Sequence, residues 1–188
     1  MMSSLAFRFS THRSDNVSAQ LLRDLASLIL TGELVGSSLV ALRPECRYSA
    51  EMTAMVDSLV RLCDSGEALL QPALLESGLV LPTTSDPSAS TLVTGFFRRL
   101  PFASDRNAFA NEVTINLQLL AQHVELKARL AAEEARIVGL TSLCEALESL
   151  TTDWRECRKT IAATLRQGRS RQPADRTDVV AFALPSGI

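Results

Sequence analysis

The sequence predicts an all-α protein, and three observations carry that reading. Aromatic residues are only 5% of the 188-residue chain while hydrophobic residues are 46%, and a chain poor in aromatics but rich in Leu and Ala suits packed helices better than a β-sandwich. Apolar residues recur at three- and four-residue steps along most of its length. Residues 104–167 contain no proline and a single glycine, Gly139. As one helix this stretch would be about 95 Å long, several times the usual helix of a compact domain. The expected architecture is a set of short N-terminal helices packed near the base of a long coiled-coil-like helix, followed by a flexible C-terminal tail. The alternative is a helical hairpin bent near Gly139. The corresponding boundaries are a flexible N-terminus (1–13), an N-terminal helical segment (14–78), a linker with a Phe/Arg-rich anchor (79–103), the long coiled-coil helix (104–168) and the tail (169–188).

Ser14 is a candidate N-cap, and Asp15 beside it opposes the helix dipole. Val17, Leu21, Leu25, Leu28 and Ile29 then form one amphipathic stripe, which Thr31 and Gly32 are expected to stop. Leu34, Val35, Leu39, Val40 and Leu42 follow, interrupted at Gly36, Ser37 and Ser38. They fit either a short helix or a buried loop, closed by Pro44. A second helix is expected from about Ser49, with Met52, Met55, Val56, Leu59, Val60, Leu62 and Cys63 on one face. Such a methionine-containing stripe can serve as an adaptable recognition groove; core packing is the simpler reading. Asp64, Ser65 and Gly66 suggest a turn, with short helical turns around Pro72 and a stop at Gly78. Residues 80–90 hold Pro82 and Pro87 among Ser and Thr, the composition of a linker. Beyond them Phe96, Phe97, Arg98, Arg99 and Phe102 form the candidate anchor. Aromatics and arginines of this kind either fill a partner's pockets or pack the N-terminal helices onto the base of the rod.

In the long stretch, Ser104 is placed to cap, and Arg155, Arg158, Lys159 and Arg166 lie toward the negative end of the dipole, with Gly168 as a stop. Gly139 alone costs only about 1 kcal/mol in a helix interior, and its neighbours include no other turn former, so continuity is expected. From Ile137 the steps are heptad-like: Leu140, Cys144, Leu147, Thr151, Trp154, Arg158, Ile161, Leu165. Upstream, Phe109, Val113, Leu117, Leu120 and Val124 form one apolar line and Leu119, Leu126 and Leu130 a second, with a register slip near Ala131. Two lines give that half two faces to cover. In a parallel homodimer Arg158 would meet its own copy, whereas a partner with an acid there gains specificity. A hetero-oligomer of helical subunits is therefore expected, with Ile137, Leu140, Leu147, Trp154, Arg158, Ile161 and Leu165 as partner-binding positions.

Little in the chain points to chemistry. There is no G-x-S-x-G, no P-loop and no glycine-rich dinucleotide turn. Cys46, Cys63, Cys144 and Cys157 are dispersed, which suits reduced thiols in an intracellular, cytoplasmic protein. His12 and His123 lie far from any ligand-spaced Cys, so no metal or other cofactor is expected. Glu133 and Glu134 diverge by about 100° on a helix and do not make a carboxylate pair. The formal charge of −2 does not favour nucleic acid as a partner of the whole molecule. A local basic run (Arg155, Arg158, Lys159, Arg166, Arg169, Arg171) nevertheless supports the alternative of a nucleic-acid-associated factor. No uninterrupted run of eighteen apolar residues occurs, so no transmembrane segment is expected. Residues 1–13, with Arg8, His12, Arg13 and several serines but no acid, have the composition of a mitochondrial transit peptide. That supports a second alternative, an accessory subunit of a mitochondrial complex. Residues 179–184 form an apolar island suited to docking back or to adding to a partner's sheet edge. The functional expectation is a non-catalytic helical subunit, a scaffold or adaptor, that assembles with other helical chains.

Overall fold

A computed structural model of the chain describes residues 6–81, 87–97 and 106–170. Among them are five α-helices and no strand: α1 (Ala6–Leu42), α2 (Ala50–Glu76), α3 (Pro87–Phe97), α4 (Arg106–Val138) and α5 (Thr141–Ser170), with a short 3-10 turn at Arg43–Cys46. The all-α reading holds. The tail beyond residue 170, including Arg171 and the apolar island at 179–184, lies outside the described residues, as do Arg98, Arg99 and Phe102 of the expected anchor.

The long helix is not continuous. Gly139 adopts φ +84°, and its N–H donates to the Arg136 carbonyl while the Leu140 N–H reaches the Ala135 carbonyl at 2.9 Å. This is a Schellman-type stop, which needs a left-handed residue that glycine adopts without strain. The chain reverses there. Glu125 then pairs with Arg155 and Arg158, and Arg136 with Glu148. As one partner's number rises the other's falls, so α4 and α5 run antiparallel as a hairpin, the most extensive helix pairing in the molecule. The local cost of one glycine favoured continuity; the burial made possible by folding back outweighs it.

The other boundaries are revised by the same logic. Residues 6–13, expected to be flexible, are the first turns of α1. α1 runs through Thr31 and Gly32, because Leu28, Val35 and Leu39 are all buried and the Thr31 hydroxyl donates to the Ser27 carbonyl at 2.7 Å. Gly32 costs that helix about 1 kcal/mol relative to Ala. α2 starts where expected, with Ser49 Oγ accepting from the Met52 N–H, but it does not turn at Gly66. There α2 comes so close to α5 that an added Cβ would lie 2.9 Å from a Leu150 methyl. Pro72 is tolerated because it and Ala68, whose carbonyl loses its N–H partner, face solvent. Gly78, at φ +64°, ends the run with Leu79 N–H on the Leu74 carbonyl. Pro87, read as linker, instead opens α3, since its missing N–H costs nothing in a first turn.

α1 and α2 pack on each other and on the hairpin, α1 against α4 and α2 against α5, while α3 lies on α1 and α4. The core joins Leu21, Leu25, Val35 and Leu39 of α1, Met52, Met55, Val56 and Leu59 of α2, and the facing sides of α4 and α5. The methionines are thus core. On α4 the buried face ends in alanines, Ala128, Ala131, Ala132 and Ala135; the apparent register slip is a change from large to small residues. The stretch Ala19–Cys46 is long and apolar enough, by length and composition, to cross a membrane, although it contains no uninterrupted apolar run of eighteen residues. Arg23, Asp24, Glu33, Arg43 and Glu45 interrupt it, and Leu21, Leu25, Leu28 and Leu39 within it are buried in this core.

Gly139→Ala separates the hairpin from the rod by the sign of its effect. At φ > 0 alanine is strained, and urea unfolding should show a loss of about 1 kcal/mol. In a continuous helix the same change would add about that much.

Candidate functional site

The heptad seam predicted to receive a partner is occupied from within. Leu147, Trp154 and Ile161 are buried in the chain's own core, and Leu140 and Leu165 are half-buried. Of that set only Ile137 stands out in solvent, 75% exposed. The acid expected opposite Arg158 exists, but it is Glu125 of the same chain, 2.8 Å from Arg158 Nε and 3.0 Å from Arg155 Nε. The physical reason is effective concentration: a seam joined by a two-residue turn meets its own neighbour before any second chain. Burial pushes the Glu125 carboxyl up, but hydrogen bonds and charge from Arg155 and Arg158 outweigh it and hold it below the usual range.

The anchor resolves similarly. Phe96 and Phe97 are half-buried against the core, and Asn116 Nδ2 donates to the Phe96 carbonyl at 3.0 Å, tying the end of α3 to α4. The start of α4 is held by Tyr48, whose hydroxyl donates to the Arg106 carbonyl at 3.1 Å. The Arg106 guanidinium lies over the Tyr48 ring, and Phe109 meets that ring edge-on.

What remains open is the outside of α4. Its first apolar line is buried at Val113, Leu117, Leu120 and Val124, whereas Leu119, Leu126 and Leu130 of the second line are about half exposed. Ile115 and Ile137 join them. At 100° per residue these five fall within an arc of about 60°, extended over about 33 Å. Glu112 and Glu133 punctuate the stripe, and His123 borders it near its middle. Sequence reading found the three leucines but missed Ile115, whose place on the stripe emerges only when the wheel is extended toward the start of α4. It also missed the alanines as core, because alanine carries little hydrophobic signal.

The titratable groups elsewhere are set by packing. His123 is lowered by burial and by Lys127, and Lys127 donates to Ser27 Oγ across the α1–α4 contact. Glu134 is raised by burial and by Asp24, with Arg23 opposing; its Oε2 has no hydrogen-bond partner. Burial is also the first cause that raises each of Cys46, Cys63, Cys144 and Cys157, Cys63 to about 12 and Cys157 to about 11. Such thiols stay protonated and weakly nucleophilic at neutral pH. No group of three or more His, Cys, Asp or Glu able to hold a metal ion occurs among the described residues. Comparison with protein-family models, with curated proteins and with solved structures found no match.

Two outcomes follow from these carboxyls. Glu125 is depressed, so its contribution is present above the ordinary glutamate range and is lost as pH falls through its lower value. A double-mutant cycle of Glu125→Gln with Arg158→Gln should give a coupling of about 1 kcal/mol at neutral pH, modest because both arginines stay reachable by water, and none in acid. Glu134 has the opposite sign: its contribution is present below the ordinary range and lost as pH rises through its raised value. Glu134→Gln should therefore raise the urea midpoint at neutral pH and leave it unchanged near pH 3, where both side chains are neutral.

Proposed function

We propose that this chain is a non-catalytic helical subunit that assembles with a helix of a different chain along the outer face of α4. The observation that carries the reading is the stripe Ile115, Leu119, Leu126, Leu130 and Ile137, left exposed after the hairpin has consumed the other seam. Recognition of a partner helix uses apolar anchors at three-, four- and seven-residue steps, and this stripe supplies them on a rigid, regular element.

The partner's chemistry follows from the interruptions. Glu112 and Glu133 lie within the stripe, so a copy aligned in parallel would set each against itself. A helix presenting Lys or Arg at those points converts the same positions into favourable pairs. The earlier reason for a distinct partner, Arg158 against its copy, falls away because Glu125 satisfies Arg158. Glu112 on α4 replaces it, since Glu133 is already paired with Arg136. A reducing intracellular setting fits the four free cysteines. For the basic run near the end of α5, the pairing of Arg155 and Arg158 with Glu125 and of Lys159 with Glu156 removes much of the charge that nucleic acid would use.

Affinity purification of the intact chain, with cross-linking to locate the contact, tests the reading. The expected result is a helical partner cross-linked beside α4, whose recovery falls at least tenfold with Leu126→Glu and Leu130→Glu while the circular dichroism at 222 nm is unchanged. A stable homodimer by native mass spectrometry, or partner recovery indifferent to both substitutions, would overturn it.

A further inference from the structure

A groove opens between α1 and α2 on the side of the bundle away from the α4 stripe. Val124, which contributes to its base, is 140° around α4 from Leu119 at 100° per residue. The cavity holds about 510 Å³, within the range of small-molecule sites. Its walls are aliphatic, from Leu28 and Ile29 on one side and Val60 and Leu70 on the other, and the Trp154 indole contributes to the lining.

Two features separate this groove from a packing defect. The first is Gly32. It lies in the interior of a long helix, where glycine weakens the helix, and a Cβ added there would meet nothing within 4 Å. No neighbour requires the missing side chain; its absence keeps the groove open. The second is the sign of the charge. Glu33 from α1 and Asp64 and Glu67 from α2 line it, and no Lys or Arg is among the described lining residues. The carboxyls come from both walls, one from α1 and two from α2. All three residues are exposed, whereas Leu28, Leu70, Leu150 and Trp154 of the lining are buried. Cys63 in the wall is a protonated thiol for the reasons given above, so it contributes surface and not a covalent or metal-binding group.

We propose that this groove binds a small amphiphilic cation, its apolar chain lying against Trp154 and the leucines and its ammonium group held between Glu33 and the Asp64–Glu67 side. An ammonium placed among three carboxyls at a water-exposed mouth gains attraction without the full cost of burial. The apolar chain is matched by the depth of the groove and supplies most of the affinity. The site is separate from the α4 stripe, and the two readings stand or fall independently.

Trp154 is the sole tryptophan, so the intact chain carries its own reporter. Octyltrimethylammonium and octanesulfonate, each titrated below its micelle concentration, present the same chain with opposite heads. The expected result is a saturable change in tryptophan emission with the cation, at least tenfold tighter than with the sulfonate, with the helical circular dichroism retained. Gly32→Leu fills the groove and should abolish the response without lowering the melting temperature. Because that variant alters packing, a second one leaves packing alone: Glu33→Gln, Asp64→Asn and Glu67→Gln together should bring the two probes to equal affinity. Equal affinity of the two probes in the unaltered chain, or a triple variant that keeps the tenfold preference, would overturn the proposal.

Discussion

The arrangement depends on one backbone event, the left-handed turn at Gly139. Helix α5 carries a regular apolar seam and α4 carries two apolar lines; an unbroken helix would leave most of this surface to water. Reversal at Gly139 lets the Leu140 N–H close on the Ala135 carbonyl and sets the α5 seam against one line of α4. Trp154, Leu147 and Ile161 pass into the core as a result. The N-terminal helices then complete the bundle by covering what the hairpin leaves, α1 on α4 and α2 on α5. Because only one line of α4 is used, the other is left outside.

The buried threonines are matched first within their own helices, while buried Ser27 is met by Lys127 from α4. Thr31, Thr114 and Thr151 are buried, and each hydroxyl donates to the carbonyl four residues earlier, so the polar group is satisfied within its own helix, and Thr114 Oγ1 also reaches Met52 Sδ of α2 at 3.6 Å. Glu125 is different. It draws two arginines from the facing helix and ties α4 to α5 in one register. Glu134 shows the contrary situation, a half-buried carboxyl with an acid near it and an oxygen left without a hydrogen bond. These two residues, nine positions apart on one helix, push the response to pH in opposite directions.

The helical class, the start of α2 at Ser49 and both apolar lines of α4 were legible in the sequence, because spacing and a capping serine are local signals. The direction of the chain after Ile137 was not. The propensity cost of Gly139 is the same in a rod and in a hairpin, and what separates them is burial between segments that local pattern does not weigh. For the same reason Thr31–Gly32 and Gly66 looked like stops: their cost is local, while the packing that offsets it comes from other helices. Arg158 was expected to meet an acid from another subunit; the acid it meets lies 33 positions earlier in the same chain. Of the α4 face, Leu119, Leu126 and Leu130 were read as a line with something to cover, and that line is the surface on which the proposed assembly rests.

The alanines of α4 have a consequence of an entropic kind. Ala128, Ala131, Ala132 and Ala135 are almost completely buried, yet an alanine has no rotamers to lose when it is packed. The joint behind the outer stripe is therefore made of groups with nothing to rearrange. Leucines and isoleucines mounted on such a backing hold their spacing before anything docks on them, and ordering on association is confined to the tips of the side chains. The dull stretch of the pattern, where large residues give way to small ones, closes this part of the joint with no side-chain rotamers lost.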